Sequence, residues 1–318
     1  MNAWFVALVA TTVALIAFRF AVRLGLAPAR VPHERTPADL GLGFDVVHIP
    51  TARDKRLHAW LVPAEGVEPA PAALVMHGWG GNAAMMLPIV PALHAAGFTV
   101  LLIDARCHGR SDEDDFASLP RFAEDIDQAL AWLQRCPHAD PRRIALVGHS
   151  VGAGAVLLAA SRRDDVSAVV SLAAFSHPVA MMRRFLAHKR VPFLPVGWLV
   201  LRYVEHVIGH RFDDIAPVTS ISRIRCPTLL VHGAEDTTVP PSEAALIHAA
   251  RRGEHVRLRI IAGSHDDFGD PKDIAGEIVA LTTFLRDALN RAGNALPLEQ
   301  SETSGQIMPQ RNSTQHVD

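Results

Sequence analysis

Gly148-His149-Ser150-Val151-Gly152 places a serine between two glycines where two apolar runs meet. Ile144 to Val147 is β-branched and aliphatic and reads as a strand. Val151 to Ala160 is small and apolar and reads as a helix, so no loop is left between them. A serine on so sharp a turn has its hydroxyl pushed out of the sheet, and the close backbone packing calls for glycine two residues before and two after. The N-terminus of the following helix points at the site and favours developing negative charge. A serine hydroxyl is a weak nucleophile that needs a base, and the base needs a group to orient it. GxSxG alone is a weak signal whose bland counterpart is a surface serine in a glycine-rich turn. The strand and helix around it give it weight.

The base is expected late in the chain, after the final strand. RLRIIAGSHDDFGD offers His265 behind a strand and a Gly-Ser turn, against the plain alternative of a solvated loop histidine. The acid is expected between the two, after another strand. CPTLLVHGAEDTTVP offers Asp236, with Glu235 beside it; Asp236 is preferred because Pro240 and a helix begin soon after and fix its loop. Its plain alternative is a carboxylate at a helix N-terminus. An oxyanion hole needs two backbone N–H donors. Val151 would supply one, and Trp79, in LVMHGWGGN, the other. HGWGG lacks the lysine and spacing of a phosphate-binding loop and does not fit GxGxxG. His77 and Gly78 in that loop, His149 beside the serine, and Trp198 further on are the candidate substrate contacts.

The elements that must carry these residues alternate short aliphatic runs with longer amphipathic ones. The candidate strands are FDVVHI, LHAWLV, AALVMHG, FTVLLID, RIALVG, VSAVVSL, PTLLVHG and VRLRIIAG, the first two forming an antiparallel hairpin. Helices are expected over Arg121 to Arg135, Val151 to Arg162, Pro241 to Arg251 and Pro271 to Arg291. The pattern predicts an α/β fold, a mostly parallel sheet with helices on both faces. Residues 175–215 break the alternation. They hold Met181, Met182, Phe185, Phe193, Leu194, Trp198, Leu199 and Tyr203, and read as a helical cap over the C-terminal ends of the strands, where open sheets bind ligands. The body spans residues 44–290, and no internal repeat is visible. Residues 291–318 are polar and aperiodic and read as a disordered tail.

Composition narrows the classes. In 318 residues there is room for one large α/β domain, and 49% hydrophobic residues supply its core. With Lys+Arg 31 against Asp+Glu 33 and no long basic run, nucleic acid is excluded as the main partner. Cys107, Cys136 and Cys226 form neither a CxxC pair nor a metal spacing, and read as mostly buried thiols in a reducing compartment. The 17 histidines include no HExxH and no HxH, so no metal is expected.

Ala3 to Phe18 carries no charge and is followed by Arg19, Arg23, Arg30 and Arg35. Residues 1–24 read as a retained membrane anchor and residues 25–43 as a linker. The run is slightly short of the roughly 20 residues that span a bilayer, unless Arg19 and Arg23 snorkel. The rival is a cleaved signal peptide, but no Lys or Arg precedes the apolar run, and the small-residue stretch Ala27-Pro28-Ala29 lies beyond two arginines. The positive-inside rule then puts the body on the cytoplasmic side.

HGWGG (77–81), DARCHGRSD (104–112), GHSVG (148–152), LLVHGAEDTTVP (229–240) and GSHDDF (263–268), in this order, resemble the α/β-hydrolase superfamily over about residues 44–290. The branch it looks most similar to is that of serine-aminopeptidase-type and monoacylglycerol-lipase-like esterases. The resemblance implies an eight-stranded, mostly parallel sheet and a Ser-His-Asp triad on Ser150, His265 and Asp236. It also implies an oxyanion hole from Trp79 and Val151, and no cofactor. Cys107 departs from the family's Gly-His-Gly-x-Ser segment by replacing the first glycine. Branches that use an aspartate at the elbow, the dehalogenases and epoxide hydrolases, are disfavoured by Ser150.

The expected activity is hydrolysis of a carboxylic ester through an acyl-enzyme. A peptidase is the rival, but it would need a carboxylate in the cap to hold a substrate amine, and Glu205, Asp213 and Asp214 are sparse provision. A catalytically silent, membrane-tethered binding module is the alternative from another class. Phe193 to Tyr203 suggests an apolar acyl pocket for lipid-like substrates, against the bland reading of packing within the cap.

Overall fold

A computed structural model of the chain describes residues 2–25, 27–66, 68–266 and 271–294, the side chains of 271–275 and 294 excepted. After an isolated helix α1 (Ala3–Gly25), the body alternates strands and helices. These are β1 (Asp45–Thr51), β2 (Lys55–Val62), β3 (Ala70–Met76), α2 (Val90–Ala95), β4 (Thr99–Ile103), α3 (Leu119–Leu133), β5 (Ala139–His149), α4 (Val151–Ala160) and β6 (Ala168–Leu172). The cap follows as α5 (Pro178–His188), a π-helical turn (Phe193–Gly197) and α6 (Trp198–Ile208). After it come α7 (Phe212–Ile215), α8 (Pro217–Ser220), β7 (Thr228–Gly233), α9 (Ser242–Ala249), β8 (Val256–Ile261) and α10 (Pro271–Asn294).

One eight-stranded sheet runs in the order β1-β2-β4-β3-β5-β6-β7-β8. β1 pairs antiparallel with β2 and β2 with β4; every pairing from β4 to β8 is parallel. The strands read as near-continuous aliphatic runs because helices cover both faces. Alternation shows within each strand. Ala72, Leu74 and Met76 of β3, with Ile144 and Leu146 of β5, join the core under α3 and α4. Ala73, Val75, Ala145 and Val147 join the core under α2 and α10. Helix α4 is buried throughout beyond Val151, as its uniformly small apolar composition requires.

All eight expected strands are present, and the expected helices differ by a few residues at their ends. Two boundaries differ more. Helix α10 runs on to Asn294, so the expected tail cannot begin at 291; the rest of it, 295–318, lies outside the described residues. The linker is not free chain. It contains a 3₁₀ turn at Pro37–Leu40, and Val31 and Pro32 accept hydrogen bonds from Asn82 Nδ2 at 2.9 and 3.1 Å.

Helix α1 has 23 residues, long and apolar enough by length and composition to cross a membrane. None of its residues is buried, and its contacts with the body lie near its C-terminal end. The Phe18 ring lies 5.1 Å from that of Tyr203 in α6, and Val22 packs against the main core.

Candidate active site

The chain turns from β5 directly into α4 at Ser150, whose backbone sits at φ 54, ψ −116. A non-glycine residue adopts that region only when its surroundings force it. The forcing contacts are visible. Ser150 N donates to Leu172 O at 2.8 Å. A β-carbon on Gly148 would lie 2.3 Å from Gly152 O, and one on Gly152 would lie 2.3 Å from His77 O. The glycines flanking the serine are therefore steric requirements of the turn.

Beyond β8, His265 meets this serine. Its Nε2 lies 2.9 Å from Ser150 Oγ, and its Nδ1 lies 2.7 Å from Asp236 Oδ2. With Nδ1–H donating to the carboxylate, Nε2 is left to accept the serine proton. Asp236, beyond β7, is itself fixed. Its Oδ1 accepts the N–H groups of Thr238 and Val239 at 2.9 and 2.8 Å. His232 Nε2 approaches its Oδ2 at 3.2 Å while donating to Val239 O. All three members are mostly buried, with Ser150 and His265 at 8% exposure and Asp236 at 3%. Glu235, the neighbouring carboxylate, plays a different part: its side chain accepts Gly263 N–H while its own N–H donates to Gly263 O, clamping the loop that carries His265.

The sheet explains why these loops converge. β5 lies beside β3, and the chain leaves β3 and β5 towards helices on opposite faces, which opens a crevice at their C-terminal ends. Trp79 stands in the loop after β3, and Val151 opens α4 immediately after Ser150. A β-carbon on Gly78 would lie 3.1 Å from Ser150 Cβ, so that loop passes directly against the serine.

The candidate substrate contacts fare differently. His77 is wholly buried. Its Nδ1 donates to Gly78 O at 2.6 Å and its Nε2 accepts Ala105 N–H at 3.0 Å, so it braces the glycine loop and is withdrawn from any ligand. Burial holds its imidazole below the usual pKa. His149 is also buried; its Nε2 bonds His265 O at 2.9 Å, and burial lowers its pKa too. It borders an apolar cavity of about 280 Å³ shared with Met85, Met86, Leu172, Val231 and Ile261. Trp198 opens α6 in the cap, half-exposed.

Several supporting contacts had no signal in the sequence. Asp104, fully buried after β4, accepts Ala83 N–H at 2.7 Å, Arg110 N–H at 2.8 Å and His33 Nε2–H at 2.9 Å. Despite its burial these donors hold its carboxyl below the usual range. Thus a linker residue is tied to the start of the helical turn that follows the glycine loop. The buried Arg106 guanidinium bonds Asp125 at 2.7 Å, Glu124 at 2.7 Å and Arg121 O at 3.2 Å. Cys107 sits at φ 66, which explains why glycine is the family's residue there. Glu243 ties the cap to α9 by accepting Ser176 N–H at 2.8 Å and Arg184 Nη1–H at 2.5 Å. Among the described residues, two groups carry metal-compatible donors, His33/His58/Asp104 and His149/His265/Asp266. In each, key atoms are already engaged in the hydrogen bonds above.

The α/β hydrolase fold family matches residues 71–194, and the observed sheet and elbow have that fold. The chain is similar to the uncharacterized protein Rv2307c of Mycobacterium tuberculosis, at 29% identity over 89% of this chain and 93% of that one. It is also similar to the α/β hydrolase domain-containing protein WAV2 of Arabidopsis thaliana, at 26% over 73% of this chain and 75% of the relative. Among solved structures it superposes on the Pyrococcus furiosus esterase Pf2001 with a TM-score of 0.67 at 20% identity. That match covers 83% of this chain and 98% of the esterase.

Proposed function

We propose that this protein is a membrane-anchored serine hydrolase that cleaves carboxylic esters. The observation that carries the reading is the unbroken relay from Ser150 Oγ through His265 to Asp236, with contacts of 2.9 and 2.7 Å. Ser150 attacks the ester carbonyl as His265 Nε2 takes its proton. Asp236 holds the ring and stabilises the imidazolium. The N–H groups of Val151 and Trp79 receive the tetrahedral oxyanion, aided by the N-terminus of α4. His265 returns the proton to the leaving alcohol. Water then attacks the acyl-Ser150 ester by the same relay and releases the acid.

An ester is favoured over a peptide because two of the three candidate carboxylates are engaged. Glu205 accepts Phe212 N–H at 2.9 Å and Arg202 at 2.7 Å, and Asp213 pairs with His177 at 3.0 Å. Helix α1 serves as the anchor, and the arginines behind it place the body on the cytoplasmic side. A fluorophosphonate probe will label the intact protein and not Ser150→Ala. Equal labelling of the two overturns the assignment. Turnover of p-nitrophenyl esters well above that of aminoacyl anilides supports the ester reading, and the reverse order supports the peptidase.

A further inference from the structure

The cap carries an apolar surface that the triad does not use. Leu194 is 71% exposed, and Phe185, Val196, Trp198 and Leu199 are each about half exposed. In a soluble protein such side chains occur singly; gathered in one helical hairpin they mark a contact surface. Leu199 and Tyr203 stand four residues apart in α6 and so share a face of it, with Val196 in the turn just before. Tyr203, at the end of that face, touches Phe18 of α1. Among the described residues, α1, about 34 Å long at 1.5 Å per residue, meets the body at Phe18 and Val22 in its C-terminal third. A bilayer crossed by α1 would have its surface near Arg19 and Arg23, beside α6.

The charges around this face fit the same partner. From 177 to 211 the chain carries Arg183, Arg184, Lys189, Arg190, Arg202 and Arg211 against a single acid, Glu205. Arg183, Lys189 and Arg190 have no carboxylate partner among the described residues. Arg183 instead lies 3.9 Å over the Phe193 ring. Apolar and aromatic side chains bordered by unpaired cations are the composition of a segment lying in a lipid interface, and anionic headgroups add attraction for each cation.

We propose that the cap is a second membrane contact. Leu194, Val196, Trp198 and Leu199 enter the acyl boundary of an anionic bilayer, while Arg183, Lys189 and Arg190 meet its headgroups. This rests on reading α1 as an anchor.

The test uses the full chain in vesicles of phosphatidylcholine and phosphatidylglycerol with brominated acyl chains. In a Cys226→Ser background, an environment-sensitive fluorophore is attached at Leu194→Cys, at Leu15→Cys in α1, or at Val46→Cys on the distant edge strand. Unchanged thermal melting establishes that each variant is folded. The expected result is loss of most fluorescence at positions 15 and 194, none at 46, and weaker loss at 194 when the anionic lipid is omitted. Quenching at 15 but not at 194 overturns the cap contact and leaves the anchor standing, as does crosslinking of position 194 to a second copy. No quenching at 15 overturns the anchor and the proposal with it. Quenching at 194 that does not depend on lipid charge overturns the role of the cations.

Discussion

Gly148 and Gly152 face each other across Ser150 so closely that a β-carbon on the first would sit 2.3 Å from the carbonyl oxygen of the second. Both partners are backbone, which cannot swing aside. Gly148→Ala and Gly152→Ala are therefore expected to displace Ser150 and lower kcat/KM by two or more orders of magnitude, about 3 kcal/mol or more of barrier. Gly276→Ala, where no atom lies within 4 Å of the added carbon, is the control expected to leave turnover unchanged.

The two neighbouring acids should separate cleanly. Asp236→Asn removes the group that orients His265 and should lower kcat about 10⁴-fold. Glu235→Gln keeps an acceptor for Gly263 N–H and should cost less than about tenfold. Steady-state kinetics on one short ester, with both variants at matched folding, decides it; equal losses would show the roles are misassigned.

Arg106 is the structural counterpart of the triad. Its guanidinium is 1% exposed and neutralises Asp125, which is equally buried. Arg106→Met strands that carboxylate, and burial without its partner costs about 3–5 kcal/mol. Chemical denaturation should show a midpoint lowered to match, and Arg106→Met/Asp125→Leu should recover part of the loss.

Stability should fall on acidification from near-neutral pH. Burial pushes His58 down to about 4 and His108 down to about 3, from 6.5 in the unfolded chain. Below pH 6.5 the unfolded state binds protons that the folded state refuses until those lower values. Each histidine therefore costs up to about 1.4 kcal/mol per pH unit over that window. Urea unfolding between pH 7 and pH 5 should show this decline, and His108→Asn should flatten it.

His33 bears on catalysis from outside the body. Its bond to Asp104 supports the carboxylate that also holds Ala83 N–H. His33→Ala should lower kcat about tenfold with KM little changed, and His33→Gln should recover part of it. A change in KM alone would argue against a positioning role.

The strands and the elbow were legible because their signals are local. Ile144 to Gly152 holds a strand, a turn and a helix start in nine consecutive residues. His265 and Asp236 followed from chain order once the serine was placed. His33 with Asp104, 71 positions apart, and Arg106 with Asp125 left no trace, because a pairing between a linker or loop residue and a distant strand end has no periodicity. His77 misled for a related reason. It stands in the loop that lines the site, but its ring turns inward to brace that loop.

The tie between His33 and Asp104 also limits reach. Only residues 26–32 separate the end of α1 from that fastening, a leash of at most about 25 Å even fully extended. With α1 in a bilayer, as proposed above, those seven residues would hold the body close to the lipid, and lengthening them would let it range further.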